Sequence, residues 1–373
     1  MTPSKHEMLA WEPKGHVTPP SAQEIALPND TETAFFNDHR RRVEREDLEW
    51  HMDRPGKYRS IVKLRLVYLD PNSSQKRYFR GTGWLIASKD LVVTAAHAVC
   101  DRSMNSLVWS VEAQVGCNGG DSIANLQRRL GAKVLIPKGW PSSDLETSRL
   151  YDFAFIKLET PFNDVLPLKY ANTPLLGKRI IGVVGYPGDK GNGAENGSQM
   201  YEQFDEVGWN VRNTGGLLTY SVSTAPGNSG SPVLLETGSG LVAIATHTGG
   251  YDIYRNRASP IGTRPFNSYH KIIERFFSGT WLEPDSVWNL PNLNVEVHHL
   301  TGRPTNAELH DKHPYPTASS IAEMAHNPML SDSKTPDADL SGSLIWQKAA
   351  LAVTAMLGML GWLCWYKELS TFF

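Results

Sequence analysis

The sequence predicts an all-β domain of antiparallel barrels with polar flanking segments. Three observations carry this expectation. Short runs rich in β-branched and aromatic residues recur from about Tyr58 onward. Glycine (31 residues) and proline (24) are plentiful enough to turn the chain between them. The first convincing amphipathic helix, Phe266 to Phe277, comes only where the β-rich region ends.

Residues 1–50 are polar, proline-containing and aperiodic, and read as a flexible N-terminal extension or propeptide. Their one dense basic run, Arg40-Arg41-Arg42, sits beside Glu44, Glu46, Asp47 and Glu49. It reads as solvated surface, with a processing site as the sharper alternative. No apolar stretch follows a basic start in residues 1–30, so no secretory signal is expected.

Ser60 to Tyr68 alternates well enough for a strand. Gly83-Trp84-Leu85-Ile86 and Leu91-Val92-Val93-Thr94 read as a hairpin across Ser88-Lys89-Asp90. Further strands are expected at Lys133–Ile136, Phe153–Ile156, Arg179–Val184, Pro232–Leu235 and Leu241–Ala245. The domain so outlined spans residues 51–280.

Residues 281–343 fill with Pro, Asn, Ser, Asp and His and read as a disordered linker. The pairs His298-His299 and His310/His313 lack the cysteine or helical HExxH context of a metal site, so none is expected. Ala349 to Tyr366 is eighteen residues without a charge, bracketed by Lys348 and Lys367. As a helix it spans about 27 Å, enough for a hydrocarbon core. Trp362, Trp365 and Tyr366 suit a membrane interface. A single-pass C-terminal transmembrane helix is therefore expected over residues 344–367, leaving the β-rich domain on the cytosolic side.

A net charge of −2 gives no basis for nucleic-acid binding. Of the three cysteines, Cys100 and Cys117 are near enough in sequence to pair, and equally consistent with free thiols.

Three short segments carry chemistry. They are Val92-Val93-Thr94-Ala95-Ala96-His97, Tyr151-Asp152-Phe153-Ala154-Phe155-Ile156 and Gly227-Asn228-Ser229-Gly230-Ser231-Pro232. A serine hydroxyl is a poor nucleophile until an imidazole takes its proton, and the imidazole needs a carboxylate to hold its tautomer. The order His, Asp, Ser, with 55 and then 77 residues between them, points to a charge relay. Gly227 is permissive enough to aim two amides, its own and that of Ser229, at one point, as an oxyanion hole requires.

Together these segments resemble the chymotrypsin-like serine proteases, and specifically their bacterial glutamyl endopeptidase branch. The similarity runs from about Tyr58 to Phe277 and includes Tyr58-Arg59-Ser60-Ile61-Val62, Gly81-Thr82-Gly83-Trp84-Leu85-Ile86 and Ile136-Pro137-Lys138-Gly139-Trp140. Gly185-Tyr186-Pro187-Gly188-Asp189-Lys190 and Gly262-Thr263-Arg264 extend it. The resemblance implies two antiparallel six-stranded β-barrels with a C-terminal helix. It implies a serine endopeptidase with His97 as general base, Asp152 as orienting carboxylate and Ser229 as nucleophile, acting on protein or peptide substrates without a cofactor. The position that holds Asp in enzymes cleaving after Lys or Arg is Ser223 here. Thr224 and His247 match the residues that meet a substrate carboxylate in the glutamyl branch, so cleavage after Glu or Asp is expected. That branch also uses its mature N-terminus near this pocket, which would place an activating cleavage in residues 40–58. A Deg/HtrA-type protease fits less well, because its nucleophile motif ends in Gly-Gly where this chain has Gly230-Ser231. A catalytically silent, membrane-tethered binding module is the non-enzyme alternative.

Overall fold

The computed structural model describes residues 7–14, 32, 34–35, 38–52, 54–70, 73, 75–119, 125–191, 197–278, 286–290 and 295–301. The chain contributes β1 (Glu7–Trp11) and the two-residue β2 (Arg41–Arg42), then six strands that make the first barrel. These are β3 (Ile61–Leu69), β4 (Lys76–Leu85), β5 (Leu91–Thr94), β6 (Ser110–Val115), β7 (Gln127–Pro137) and β8 (Ala154–Leu158). Six more follow: β9 (Leu176–Gly185), β10 (Tyr201–Asn210), β11 (Leu218–Tyr220), β12 (Pro232–Thr237), β13 (Gly240–Asp252) and β14 (Arg255–Pro260). A helix α1 (Tyr269–Phe277) and the strands β15 (Ser286–Leu290) and β16 (Val295–Thr301) complete the described chain.

The first sheet runs β6-β3-β4-β5-β8-β7 and closes on itself where β6 pairs with β7, Glu112 opposite Leu130. All neighbours are antiparallel. The second sheet runs β11-β14-β13-β12-β9-β10-β2. Here the structure departs from the expected pair of closed barrels. No ladder joins β10 to β11 among the described residues, so the second unit is a sheet of six strands extended by β2 rather than a closed ring. β11 is only three residues long and pairs along its length with β14, Leu218 opposite Ala258.

The two-residue side-chain period sorts each strand between two cores. Val62, Leu64, Leu66 and Tyr68 on β3, with Val92 and Ile156, pack inside the first barrel. Their neighbours Ile61, Leu91, Val93 and Phe155 turn the other way, into a second core shared with Val184, Tyr186 and Leu234. A third core, with Ile181, Val183, Tyr220, Val233 and Ile244, lies within the second sheet. Strands buried on both faces read as continuous apolar runs, which is why β5 and β8 were so legible. Helix α1 buries Tyr269, Ile272 and Phe276 in the middle core. There Tyr269 contacts the rings of Phe153 and Phe155 at centroid separations of 5.2 and 5.1 Å.

Two tails differ from expectation. Glu7–Trp11 lies in the segment read as flexible, yet it pairs with β7, Met8 opposite Pro137, and buries Met8, Leu9, Ala10 and Trp11. Paired on both sides, this five-residue strand satisfies its backbone, although its four apolar residues are too few to show a period in sequence. Ser286–Leu290 and Val295–Thr301 lie in the stretch read as a disordered linker, but form a hairpin whose second strand pairs with β1. Arg40, read as solvated, is buried between two carboxylates. Among the described residues, no helix is long and apolar enough to cross a membrane. The helix expected at 344–367 lies outside them.

Candidate active site

His97 sits in a one-turn helix, Ala96–Val99, directly after β5. Asp152 precedes β8, which pairs with β5, so the ladder between these two strands brings the two residues together. The carboxylate of Asp152 grips His97 twice: Oδ1 accepts from the backbone N–H at 3.0 Å and Oδ2 from Nδ1 at 2.8 Å. With its proton held on Nδ1, the ring presents Nε2 as the acceptor. That nitrogen lies 2.7 Å from Ser229 Oγ. Three residues spread over 132 positions are thus within hydrogen-bond reach of one another. A pocket lined by His97, Asp152, Trp140, Thr248 and Arg257 opens beside them.

Ser229 comes from the second sheet, and Thr82 on β4 ties its turn to the first barrel. The Thr82 backbone N–H donates to Ser229 O at 2.9 Å, and its hydroxyl donates to Gly227 O at 2.7 Å. That hydroxyl also accepts from the Tyr186 N–H at 3.0 Å. The turn requires glycine on either side of its centre. Gly227 has φ +109 and Gly230 φ +90, and a Cβ on the latter would stand 2.0 Å from Thr82 O. Asn228 lies between Gly227 and Ser229 and closes the turn through its N–H to Ala225 O at 3.0 Å.

His247 is on β13, beside an irregularity in the pairing with β14 between His247 and Gly249. Such bulges re-aim side chains. Its backbone holds the nucleophile turn from below: His247 O accepts from Gly230 N and His247 N donates to Ser231 O, both at 2.8 Å. The imidazole is fully buried, and burial, aided by the positive charge of Arg257 and by the nearby His97, pushes its pKa down to about 3. The ring is therefore neutral at physiological pH. Its Nδ1 lies 2.5 Å from the hydroxyl of Tyr220, a phenol that burial keeps well above its usual range and so protonated. Its Nε2 lies 3.4 Å from Oε1 of Glu32. A carboxylate only accepts, so the ring proton belongs on Nε2, and Nδ1 then accepts from Tyr220. Thr224 is also fully buried, and its hydroxyl makes no hydrogen bond among the described residues. Ser223 accepts from the Phe35 N–H at 3.1 Å.

The structure thus brings His97, Asp152, Ser229 and His247 into one site, with Gly227 and Thr224 on the segment leading to the serine. Sequence reasoning missed Thr82, Tyr220 and Glu32. Thr82 stood inside a quoted strand and Tyr220 in a three-residue strand, and Glu32 lay in a stretch with no period at all. Cys100 and Cys117, left open above, are both buried and do not pair with each other, and burial pushes the Cys100 thiol up to about 12.

Residues 81–244 match the trypsin-like peptidase domain family. Among solved structures the chain is similar to a Glu endopeptidase in complex with MPD, at 23% identity and TM-score 0.47, covering 64% of this chain and 95% of that one. It is similar to the protease Anisep from Arthrobacter nicotinovorans at 15% identity and TM-score 0.43, covering 54% and 90%. It is similar also to the thermostable serine protease AL20 from an extremophilic microorganism at 19% identity and TM-score 0.42, covering 55% and 91%. No curated relative matches the chain. The family match takes in parts of both sheets and contains His97, Asp152 and Ser229.

Proposed function

We propose that the chain is a serine endopeptidase that hydrolyses peptide bonds through an acyl-enzyme and prefers Glu or Asp on the acyl side. The observation that carries the chemistry is the run of contacts from Asp152 Oδ2 through His97 to Ser229 Oγ, at 2.8 and 2.7 Å. In this reading Ser229 Oγ attacks the scissile carbonyl while His97 Nε2 takes its proton. Asp152 stabilises the resulting imidazolium. The amides of Gly227 and Ser229 receive the developing oxyanion, where loss of one donor typically costs about 10²–10³ in rate. His97 then protonates the leaving amine, and water clears the acyl group by the same route in reverse.

The acid preference is supported by His247 and Thr224. A neutral imidazole with its proton on Nε2, and a buried Thr224 hydroxyl with no hydrogen-bond partner among the described residues, offer two donors to a carboxylate and nothing to a cationic side chain. Ser223 leaves no fixed anion for Lys or Arg. The uncharged segment Ala349–Tyr366 supports the further proposal of a C-terminal membrane anchor. Profiling the purified protein on a peptide library, before and after limited proteolysis of its N-terminal segment, tests the central reading. Cleavage after Glu and Asp that vanishes with Ser229→Ala supports it, and cleavage without acid preference removes the specificity claim.

A further inference from the structure

The acid pocket already holds a carboxylate, and it belongs to this chain. The side chains of Glu32 and His247 are both 0% exposed, and Glu32 Oε1 lies 3.4 Å from His247 Nε2. The same oxygen accepts from Ser229 Oγ at 2.9 Å. One carboxylate oxygen therefore touches both the nucleophile and the residue assigned to recognise a substrate acid. Two neighbouring anchors fix this position. The Phe35 N–H donates to Ser223 Oγ at 3.1 Å. Arg40 is buried in a pair of two-pronged bonds, to Asp38 (2.7 and 2.7 Å) and to Asp189 (2.9 and 2.6 Å). Lys190 adds a contact to Asp38 at 3.2 Å. Forked guanidinium–carboxylate pairs of this kind are both strong and directional. Beyond them β2 pairs with β10, Arg42 opposite Tyr201.

We propose that Glu32 is a built-in ligand of the acid pocket that holds the intact chain unreactive. This rests on the acid-pocket reading given above and names what fills that pocket. Two features make Glu32 a blocker rather than a substrate. The nucleophile faces a side-chain carboxyl oxygen, and that carbon carries no peptide bond to break. Ser229 also has a single proton, and a hydroxyl that donates it to Glu32 cannot at the same moment donate it to His97 Nε2, 2.7 Å away. The base then lacks the proton it must remove. Proteolysis begins only when this segment leaves the cleft, and Arg40–Asp189 is the anchor that must yield.

Simple truncation is the wrong test, because β1 is built into the first sheet. Point variants of the full chain avoid that problem, with labelling of Ser229 by a fluorophosphonate as the readout. A tethered ligand competes at an effective concentration in the millimolar range, so Glu32→Ala should label about tenfold faster or more than the parent. Arg40→Ala, which frees the anchor and leaves the pocket intact, should also accelerate labelling. Equal rates in the parent and both variants, each melting cooperatively, would overturn the proposal. A second arm separates it from the reading beneath it. A short acetylated peptide ending in glutamate should slow labelling of Glu32→Ala more than its glutamine counterpart. Faster labelling of Glu32→Ala without that difference keeps Glu32 as the internal blocker and overturns only the glutamate preference.

Discussion

The phenol oxygen of Tyr220 lies 2.5 Å from His247 Nδ1, and a ring whose Nδ1 accepts from that phenol carries its proton on Nε2, toward Glu32. Without that bond the imidazole proton is free to sit on Nδ1, leaving Nε2 as a bare acceptor against a carboxylate. Tyr220→Phe should therefore lower kcat/KM for a glutamyl substrate by about 10- to 100-fold, the worth of a hydrogen bond to a charged group. Turnover of a leucyl substrate should change little. An equal loss on both would make Tyr220 merely structural.

The pH profile follows from the same ring. His247 has its pKa lowered to about 3, so its neutral form is the populated one at every pH above that. The substrate glutamate ionises near pH 4.3. Selectivity for glutamyl over leucyl substrates should therefore be flat from pH 6 to 9, and fall only in acid as the substrate carboxyl protonates. A preference that declined about tenfold per pH unit above 6.5 would mean that the imidazolium is the binding form.

Asp152 holds both the backbone and the ring of His97. Asp152→Asn keeps the shape but turns one acceptor into an amide donor, which favours the wrong tautomer. A fall in kcat on the order of 10⁴ is expected, with KM nearly unchanged. Single-turnover acylation measures it directly. A loss seen only in KM would move Asp152 from the relay to substrate binding.

The proposed anchor predicts that removing residues 344–373 moves the protein from the membrane to the soluble fraction while sparing hydrolysis. Flotation with liposomes before and after the deletion checks this. Continued flotation of the shortened chain would place the membrane contact elsewhere.

Much of the candidate site was readable because it lies on elements with strong local patterns. β5 and β8 are buried on both faces, so their apolar runs announce strands, and His97 and Asp152 stand at their ends. Gly227 and Gly230 mark a turn that only glycine can make. β10 was not readable, since Glu202, Asp205 and Glu206 interrupt its apolar positions, and β1 was too short to show a period.

By itself the sequence determined the strand-rich domain, the order of His97, Asp152 and Ser229 and the glycines that shape the turn around Ser229. Each of these depends on local chemistry: side-chain period, backbone freedom, and residue type at a strand end. Only the tertiary structure decided that Arg40 is buried against Asp189, that the Tyr220 hydroxyl meets His247 Nδ1, and that Glu32 reaches Ser229. Those contacts join residues 149, 27 and 197 positions apart, and no local pattern encodes a partner at such separations. They exist because folding places the two sheets around a shared core and closes the cleft on whatever side chain fits it.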